Sequence, residues 1–478
     1  MIAPASPPRL RVPSLLECLC ASDATQLFAH GVSSLAHRSA LRAVLPGIDE
    51  YAERALLLAE RRDVVCVLEP VEEAYLDYLT ELKLGPAANR IVVASEGSHG
   101  RRGGSLPAAL LGNPTALDRI TTLLRGEERT VLNPFAASAS EFALAARLGA
   151  ILGRRVEVLG SAPPLAYRLS KKHRQRALAV EAGVPVAPGE VVTLPADARG
   201  RVLDVVPLRA ALGRRLDRSS RVIIRGTYGV SGSATWVVGN GFLGVDEALE
   251  RVVRRRDNRI YLVEEMFEVL VSPNLQMFIE PPGGRITCVG ISDQRWVGTL
   301  VHGGNASPSR AETLPEMVAC AERISTLLQR AGYSGLAGFD FGEHLEAASG
   351  RRRPFFAEVN LRINGATYPI ALVERLNREQ ARLRLPPIRA FATANLRPYA
   401  RSFQDFERSY GEAFFQRERG AGVLPFNTGC LRHGQLTVAV LGGTREEVLA
   451  DLGRFRAQVE NEKRAAAIVD EQRRPTGP

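Results

Sequence analysis

Residues 355–369 read FFAEVNLRINGATYP, and along them Phe355, Ala357, Val359, Leu361 and Ile363 alternate with Glu358, Asn360, Arg362 and Asn364. Strict alternation marks a β-strand with one apolar face, because successive side chains point to opposite sides. The other face then carries a carboxylate, two amides and a guanidinium; Glu and Asn are poor strand formers. In LAGFDF (336–341), Phe339 and Phe341 point one way and Asp340 the other, between Gly338 and Gly342. The pattern predicts strands over 336–341 and 354–363, paired antiparallel across a loop containing Ser349-Gly350. That pairing would bring Asp340 near Glu358 on one polar face.

Elsewhere the pattern changes twice. Between 60 and 160, the apolar runs VVCVLEP (64–70), RIVVAS (90–95), TVLNPF (130–135) and VEVLG (156–160) alternate with helical periodicity. SASE (138–141) reads as a capping box opening a helix that stops at Gly149. This rhythm predicts a Rossmann-like parallel α/β sheet. No G-x-G-x-x-G follows its first strand, so no dinucleotide site is expected there. Beyond about 165, a helix over 171–182 starts at Ser170 as N-cap and ends at Gly183. A strand–loop–strand unit covers 221–239, and strands fit 260–265, 275–279 and 285–291. A helix over 314–331 has Pro315 in its first turn, a stripe of Val318, Ala321, Ile324 and Leu328, and Gly332 as its stop. This part reads as antiparallel α+β. Charged helical stretches follow from about 371, and GQLTVAVLGGTREEVLADL (434–452) reads as strand, turn and helix.

The chain has 478 residues, room for about three domains at roughly 150 residues each. No uncharged apolar run is long enough to span a membrane, and prolines interrupt the N-terminus where a secretory signal would need an apolar core. Six cysteines (18, 20, 66, 288, 320 and 430) without a C-x-x-C fit a reduced, cytoplasmic protein with no structural zinc site. The net charge of +10 rests on 58 arginines and only four lysines, spread along the chain and interspersed with acids. A basic balance invites a nucleic-acid surface, but a cleft for an anionic small ligand accounts for it equally well, and no nucleic-acid partner is expected.

Four segments carry candidate chemistry. Asp340 and Glu358, if adjacent, would repel, and a divalent cation held by hard oxygens resolves the conflict. Asn360 adds a neutral oxygen, and Arg362 can fork onto a phosphate or carboxylate. In VIIRGTYGVSGSATWVV (222–238), Gly226, Gly229 and Gly232 with Ser231 and Ser233 form a loop whose amides and hydroxyls could cradle phosphates, with Arg225 at its entrance. Lys171 and Lys172 are two of the few lysines kept in an arginine-writing sequence, at a predicted helix start that favours anions. In IYLVEEMFEVLVSPNLQMFI (260–279), Glu264 and Glu265 beside Met266 and Phe267 suit a flat ring, edge-bonded and held between apolar side chains. Asp293, Gln294, His302, Asn305 and Asn364 are weaker candidates for a second substrate.

The order of these pieces, paired lysines before A-G-V-P, glycine–serine hairpin, E-E hinge and D…E-x-N-x-R, resembles the ATP-grasp superfamily over about 166–370. Spacing as in D-alanine–D-alanine ligase and biotin carboxylase puts the phosphate-contacting lysine at Lys172. The resemblance implies that Glu264 takes the adenine amino group and that the backbone near Glu265 to Phe267 takes the ring. It implies Mg²⁺ on Asp340, Glu358 and Asn360, with Arg362 facing the transferred phosphate. Arg225 stands where a second lysine is usual, and Asn274 where many members carry a ribose-binding glutamate. LNPFAAS, ISDQ and EVNLRINGATYP look like the pheganomycin-type peptide ligases. The expected plan is a Rossmann-like pre-ATP-grasp domain (1–165), an ATP-grasp region (166–375, with nucleotide lid and hinge to about 270 and metal-binding core from 271) and a small α+β C-terminal extension (376–478). The implied reaction is ATP- and Mg²⁺-dependent carboxylate–amine ligation through an acylphosphate, on small-molecule or peptide substrates. A catalytically silent ATP-binding regulator, a carboxylate–thiol ligase and a kinase are the alternatives.

Overall fold

The computed structural model describes residues 13–20, 22–32, 47–95, 105–199, 201–228, 234–255, 258–298 and 301–473. Five short strands, β1 (Thr25–Ala29), β2 (Val64–Val67), β3 (Ile91–Val93), β4 (Thr130–Pro134) and β5 (Glu157–Val158), form a parallel sheet in the order β3-β2-β1-β4-β5. Its strands are near-continuous apolar runs because helices cover both faces. The expected runs are all there, and β1 joins them at the centre. Its polar Thr25 and Gln26 are buried all the same; the Gln26 N–H donates to Asp63 Oδ1 (2.9 Å).

The capping box forms as predicted, with Ser138 and Glu141 exchanging bonds at the start of helix Ala139–Leu152. That helix does not stop at Gly149. It runs on to Gly153, whose φ of 67° is the left-handed conformation that closes a helix. Ser170 likewise ends the preceding helix, Pro163–Leu169, and the next helix, Lys172–Glu181, starts from Lys171 without a side-chain cap.

Strands β6 (Gly189–Thr193), β7 (Arg221–Gly226), β8 (Thr235–Gly239) and β9 (Ile260–Glu265) make a separate antiparallel sheet, ordered β6-β9-β7-β8, with its own small core. A nine-stranded antiparallel sheet forms the centre, from β10 (Val269–Val271), β11 (Pro273–Ile279), β12 (Ile286–Val297), β13 (Val301–Ser307), β14 (Gly335–Leu345), β15 (Arg352–Asn360), β16 (Ala390–Leu396), β17 (Gly422–Phe426) and β18 (Leu436–Gly442). Helix Leu314–Arg330 buries its apolar stripe, with Ala321, Ile324 and Leu328 inside, against this sheet. The sheet does not end at residue 375: β13 pairs with β16, so the last three strands extend it. One hydrophobic cluster then joins the N-terminal sheet to residues 363–459. Among the described residues no helix is long and apolar enough to cross a membrane.

Candidate active site

Strands β14 and β15 pair antiparallel, with Asp340 opposite Glu358 and Gly338 opposite Asn360. The alternation is not strict, however. A bulge falls between the Asp340–Glu358 and Phe341–Phe356 pairs, leaving Ala357 unmatched. Phe356 and Val359 therefore enter the core, while Phe355, Ala357, Glu358 and Asn360 line a cleft. The strand ends at Asn360, and Arg362 reaches the same cleft from a turn, donating to Asn360 Oδ1 (2.9 Å) and the Ile363 carbonyl (3.0 Å). The glycines around Asp340 have steric causes. A Cβ at Gly338 would overlap the Asn364 amide, and one at Gly342 would overlap the Phe355 ring.

Asp340 accepts from three side-chain amides: Asn274 (2.6 Å) and Gln294 at Oδ1, and Asn360 (3.0 Å) at Oδ2. Asn274 lies opposite Asp340 in the β11–β14 register, so its side chain serves the carboxylate and not a ribose, correcting that expectation. Behind it Gln276, Asn364 and Thr367 complete a buried amide network; Gln276 donates to Asn364 Oδ1 (3.1 Å) and Thr367 Oγ1 donates to Gln276 Oε1 (2.8 Å). Glu358 pairs with Lys172, at the start of helix Lys172–Glu181. Burial, then the Glu358 charge, pushes the Asp340 carboxyl up to about 7. Burial would raise Glu358 too, but the Lys172 ammonium, followed by Arg225 and Arg362, outweighs it and brings the carboxyl down. Glu358 is thus held ionised, while Asp340 keeps its proton toward neutrality.

Two carboxylates and an amide, all hard oxygen donors in one cleft, fit Mg²⁺, which takes few protein ligands and fills its other positions from phosphates and water. Among the described residues no group of three or more His, Cys, Asp or Glu side chains is placed to hold a metal.

The cleft is about 700 Å³, the size of an ordinary small-molecule site. Lys172, Arg225, Glu264, Glu265, Phe267, Asn274, Gln294, His302, Asn305, Asp340, Glu358, Asn360, Arg362 and Asn364 all line it. Phe267 stacks on His344, with centroids 3.9 Å apart and planes at 3°, and meets Phe355 edge-on at 5.0 Å. Glu264 is 2% exposed, and both of its oxygens are already engaged: Oε1 by Arg176 (2.6 Å), Oε2 by Arg225 Nε (2.9 Å) and Nη2 (2.5 Å). Its expected role as acceptor for an amino group gives way to an ion pair that ties helix Lys172–Glu181 to β7 and β9. Arg225 also donates to the Ala357 carbonyl (2.9 Å), bridging the small sheet to β15. The N–H groups of Glu265 and Met266 bond the Pro188 and Arg221 carbonyls (2.8 and 3.1 Å), so neither is open to a ring edge. Gly229, Ser231, Gly232 and Ser233 lie outside the described residues.

Asp293 is not in the cleft. It is 2% exposed and holds Arg445 (3.0 Å), Ser309 and the Arg310 N–H (2.9 Å). Its neighbour Gln294 faces Asp340, and consecutive strand residues cannot share a face. The sequence reading missed Arg176 and Gln276, and a cleft wall formed by Val32, Ile48, Tyr51, Arg54 and Phe135 of the N-terminal region. LNPFAAS was the one signal pointing there, through Phe135; its ring lies 5.3 Å from the Arg362 guanidinium.

A family model for the pre-ATP-grasp domain matches residues 52–150. No curated protein matches the sequence. Among solved structures, the chain resembles N5-carboxyaminoimidazole synthase from Aspergillus clavatus in complex with ADP and 5-aminoimidazole ribonucleotide. The identity is 10% and the TM-score 0.51, over 92% of this chain and 99% of that one. An ADP complex of N5-carboxyaminoimidazole ribonucleotide synthetase is 12% identical with a TM-score of 0.50, over 95% and 100%. Pyruvate carboxylase from Rhizobium etli is 14% identical with a TM-score of 0.51, over 90% of this chain and 39% of its own. The chain thus has a pre-ATP-grasp domain followed by antiparallel sheets of the ATP-grasp type, a fold it shares with these enzymes.

Proposed function

We propose that this protein is an ATP-dependent carboxylate–amine ligase that forms an amide or peptide bond through an acylphosphate, in the biosynthesis of a peptide-type natural product as pheganomycin-type ligases do. The observation that carries this reading is the pairing of Asp340 with Glu358 across β14 and β15, beside Lys172 and Arg362 in one cleft.

In this reading the γ-phosphoryl group passes from ATP to an oxygen of the substrate carboxylate, releasing ADP. The amine nitrogen then attacks the acyl carbon, loses its proton, and phosphate departs. Asp340, Glu358 and Asn360 would hold Mg²⁺, which when bound supplies positive charge against the nucleotide phosphates. Lys172 and Arg225 hold phosphate oxygens, and Arg362 stabilises the phosphoryl group in transit. Phe267 and Phe355 form the apolar slot for the base. The Asn274–Gln276–Asn364 network fixes Asp340 from behind, so its orientation needs no rearrangement during the reaction. The protein supplies no covalent nucleophile; it positions, stabilises charge and excludes water.

The test is a screen of amino acids and short peptides for phosphate release with Mg-ATP. We expect release only when an acid and an amine are both present, and one oxygen of an ¹⁸O-labelled carboxylate should appear in the phosphate. Release independent of the amine, or phosphate free of label, contradicts the proposal.

A further inference from the structure

The N-terminal wall of the cleft comes from a ten-residue 3-10 helix, Ile48–Leu57. With three residues per turn, side chains three apart eclipse one another. Ile48, Tyr51 and Arg54 therefore form one row, and all three line the cleft. Glu50 and Glu53 form the neighbouring row and face the C-terminal segment. Glu53 caps the 3-10 turn Thr428–His433, accepting from the Thr428 N–H (2.6 Å) and hydroxyl (2.7 Å) and the Gly429 N–H (2.9 Å). Glu50 lies 3.5 Å from Arg432 and 3.7 Å from His433. An α-helix would set Glu50 beside Arg54 as an i,i+4 pair; the 3-10 geometry separates them.

Arg54 is consequently a half-buried guanidinium with no carboxylate in ion-pair range among the described residues. Its guanidinium carbon sits 4.0 Å over the Tyr51 ring and 5.7 Å from the Tyr368 ring, and its Nε is buried without a partner. The charges nearest the Asp340–Glu358 pair are Lys172, Arg225 and Arg362, whereas Arg54 bears on Tyr51, Tyr368 and His302. A second cationic point therefore stands on the N-terminal wall of the same cleft, beside Val32, Ile48, Tyr51 and Phe135. A half-buried guanidinium with no carboxylate beside it and an unpartnered Nε gains most from a ligand that brings an anion.

Resting on the ligase reading, we propose that Arg54 is the specificity-determining residue for the amine substrate. It binds a free carboxylate that this substrate carries in addition to its amine, with a bulky apolar side chain lying against the Ile48–Phe135 wall. The amine substrate is then an apolar α-amino acid or a peptide with an apolar C-terminal residue.

The experiment measures thermal stabilisation of the full-length protein, with Mg-ADP present, by L-phenylalanine and Gly-L-Phe and by their C-terminal amides. Wild type should be stabilised by the free acids and not by the amides. Arg54→Met should lose the response to acids while keeping the shift caused by Mg-ADP, and Arg54→Lys should restore part of it. In turnover assays Arg54→Met should raise KM for the free acid about 10–100-fold, the worth of one charge-assisted bond. Equal stabilisation by acid and amide, no stabilisation by either acid, or an unchanged response in Arg54→Met overturns the assignment. Acids that stabilise the protein yet never support phosphate release would sink the ligase reading and leave the Arg54 site standing. Turnover that accepts amides as well as acids would do the reverse.

Discussion

Glu358→Gln should remain folded and lose amine-dependent phosphate release by about 1000-fold or more, a transition-state loss of about 4 kcal/mol. The substitution keeps shape and removes one of the two carboxylates that, in the proposed reading, hold the metal against the nucleotide phosphates. Lys172 would then stand beside a neutral amide and lose the partner that orients it. Asp340, relieved of the neighbouring charge that helps raise its pKa, would ionise more readily, but a lone carboxylate holds a divalent ion poorly. A circular dichroism spectrum matching wild type, together with the lost turnover, is the expected pair of results. Turnover within tenfold of wild type would remove Glu358 from the metal site.

The second large effect is on stability. Glu264→Leu should destabilise the small sheet β6–β9 by about 3–5 kcal/mol, because it strands two buried guanidiniums, Arg176 and Arg225, each 14% exposed. Removing the acid while keeping both cations is the expensive way to break such a group. Glu264→Gln should cost less, since it still offers an oxygen to one arginine. Only two tryptophans are present, and Trp236 lies in β8. In a Trp296→Phe background, urea unfolding followed by Trp236 fluorescence reports this sheet by itself. A midpoint unchanged by Glu264→Leu would show that the ion pair does not hold the sheet.

What could be read from the chain follows from where local pattern decides structure. The parallel strands near 64, 91 and 131 were legible because burial on both faces makes them continuous apolar runs. Strand β1 was not, since Thr25 and Gln26 break its apolar run, and the Thr25 hydroxyl finds its partner, Glu127, only in the folded chain. Antiparallel pairing of β14 with β15 was legible from two alternating stretches and a Ser-Gly loop, and it brought Asp340 to Glu358. The bulge at Ala357 was not, because it depends on how Phe341 and Phe356 pack together. Glu264 looked like a ligand-facing acid because nothing local announces that Arg176 and Arg225, 88 and 39 residues away, converge on it. The 3-10 helix Ile48–Leu57 is the plainest omission. Helical period 3.6 does not align Ile48, Tyr51 and Arg54, so the pattern hid an N-terminal segment that enters the cleft.

The central claim is that Asp340 and Glu358 share a divalent cation with a nucleotide. Titration of Mn²⁺ by electron paramagnetic resonance, with ADP present, tests it without knowledge of the substrates. Asp340 holds its proton up to about pH 7, and a ligating carboxylate must release it. Wild type should therefore bind one Mn²⁺ per chain, with affinity rising about tenfold per pH unit below 7 and levelling above it. Asp340→Asn should bind at least about 30-fold more weakly and show no such slope, a loss of roughly 2 kcal/mol. Mn²⁺ binding of equal strength and equal pH dependence in the two proteins would contradict the account.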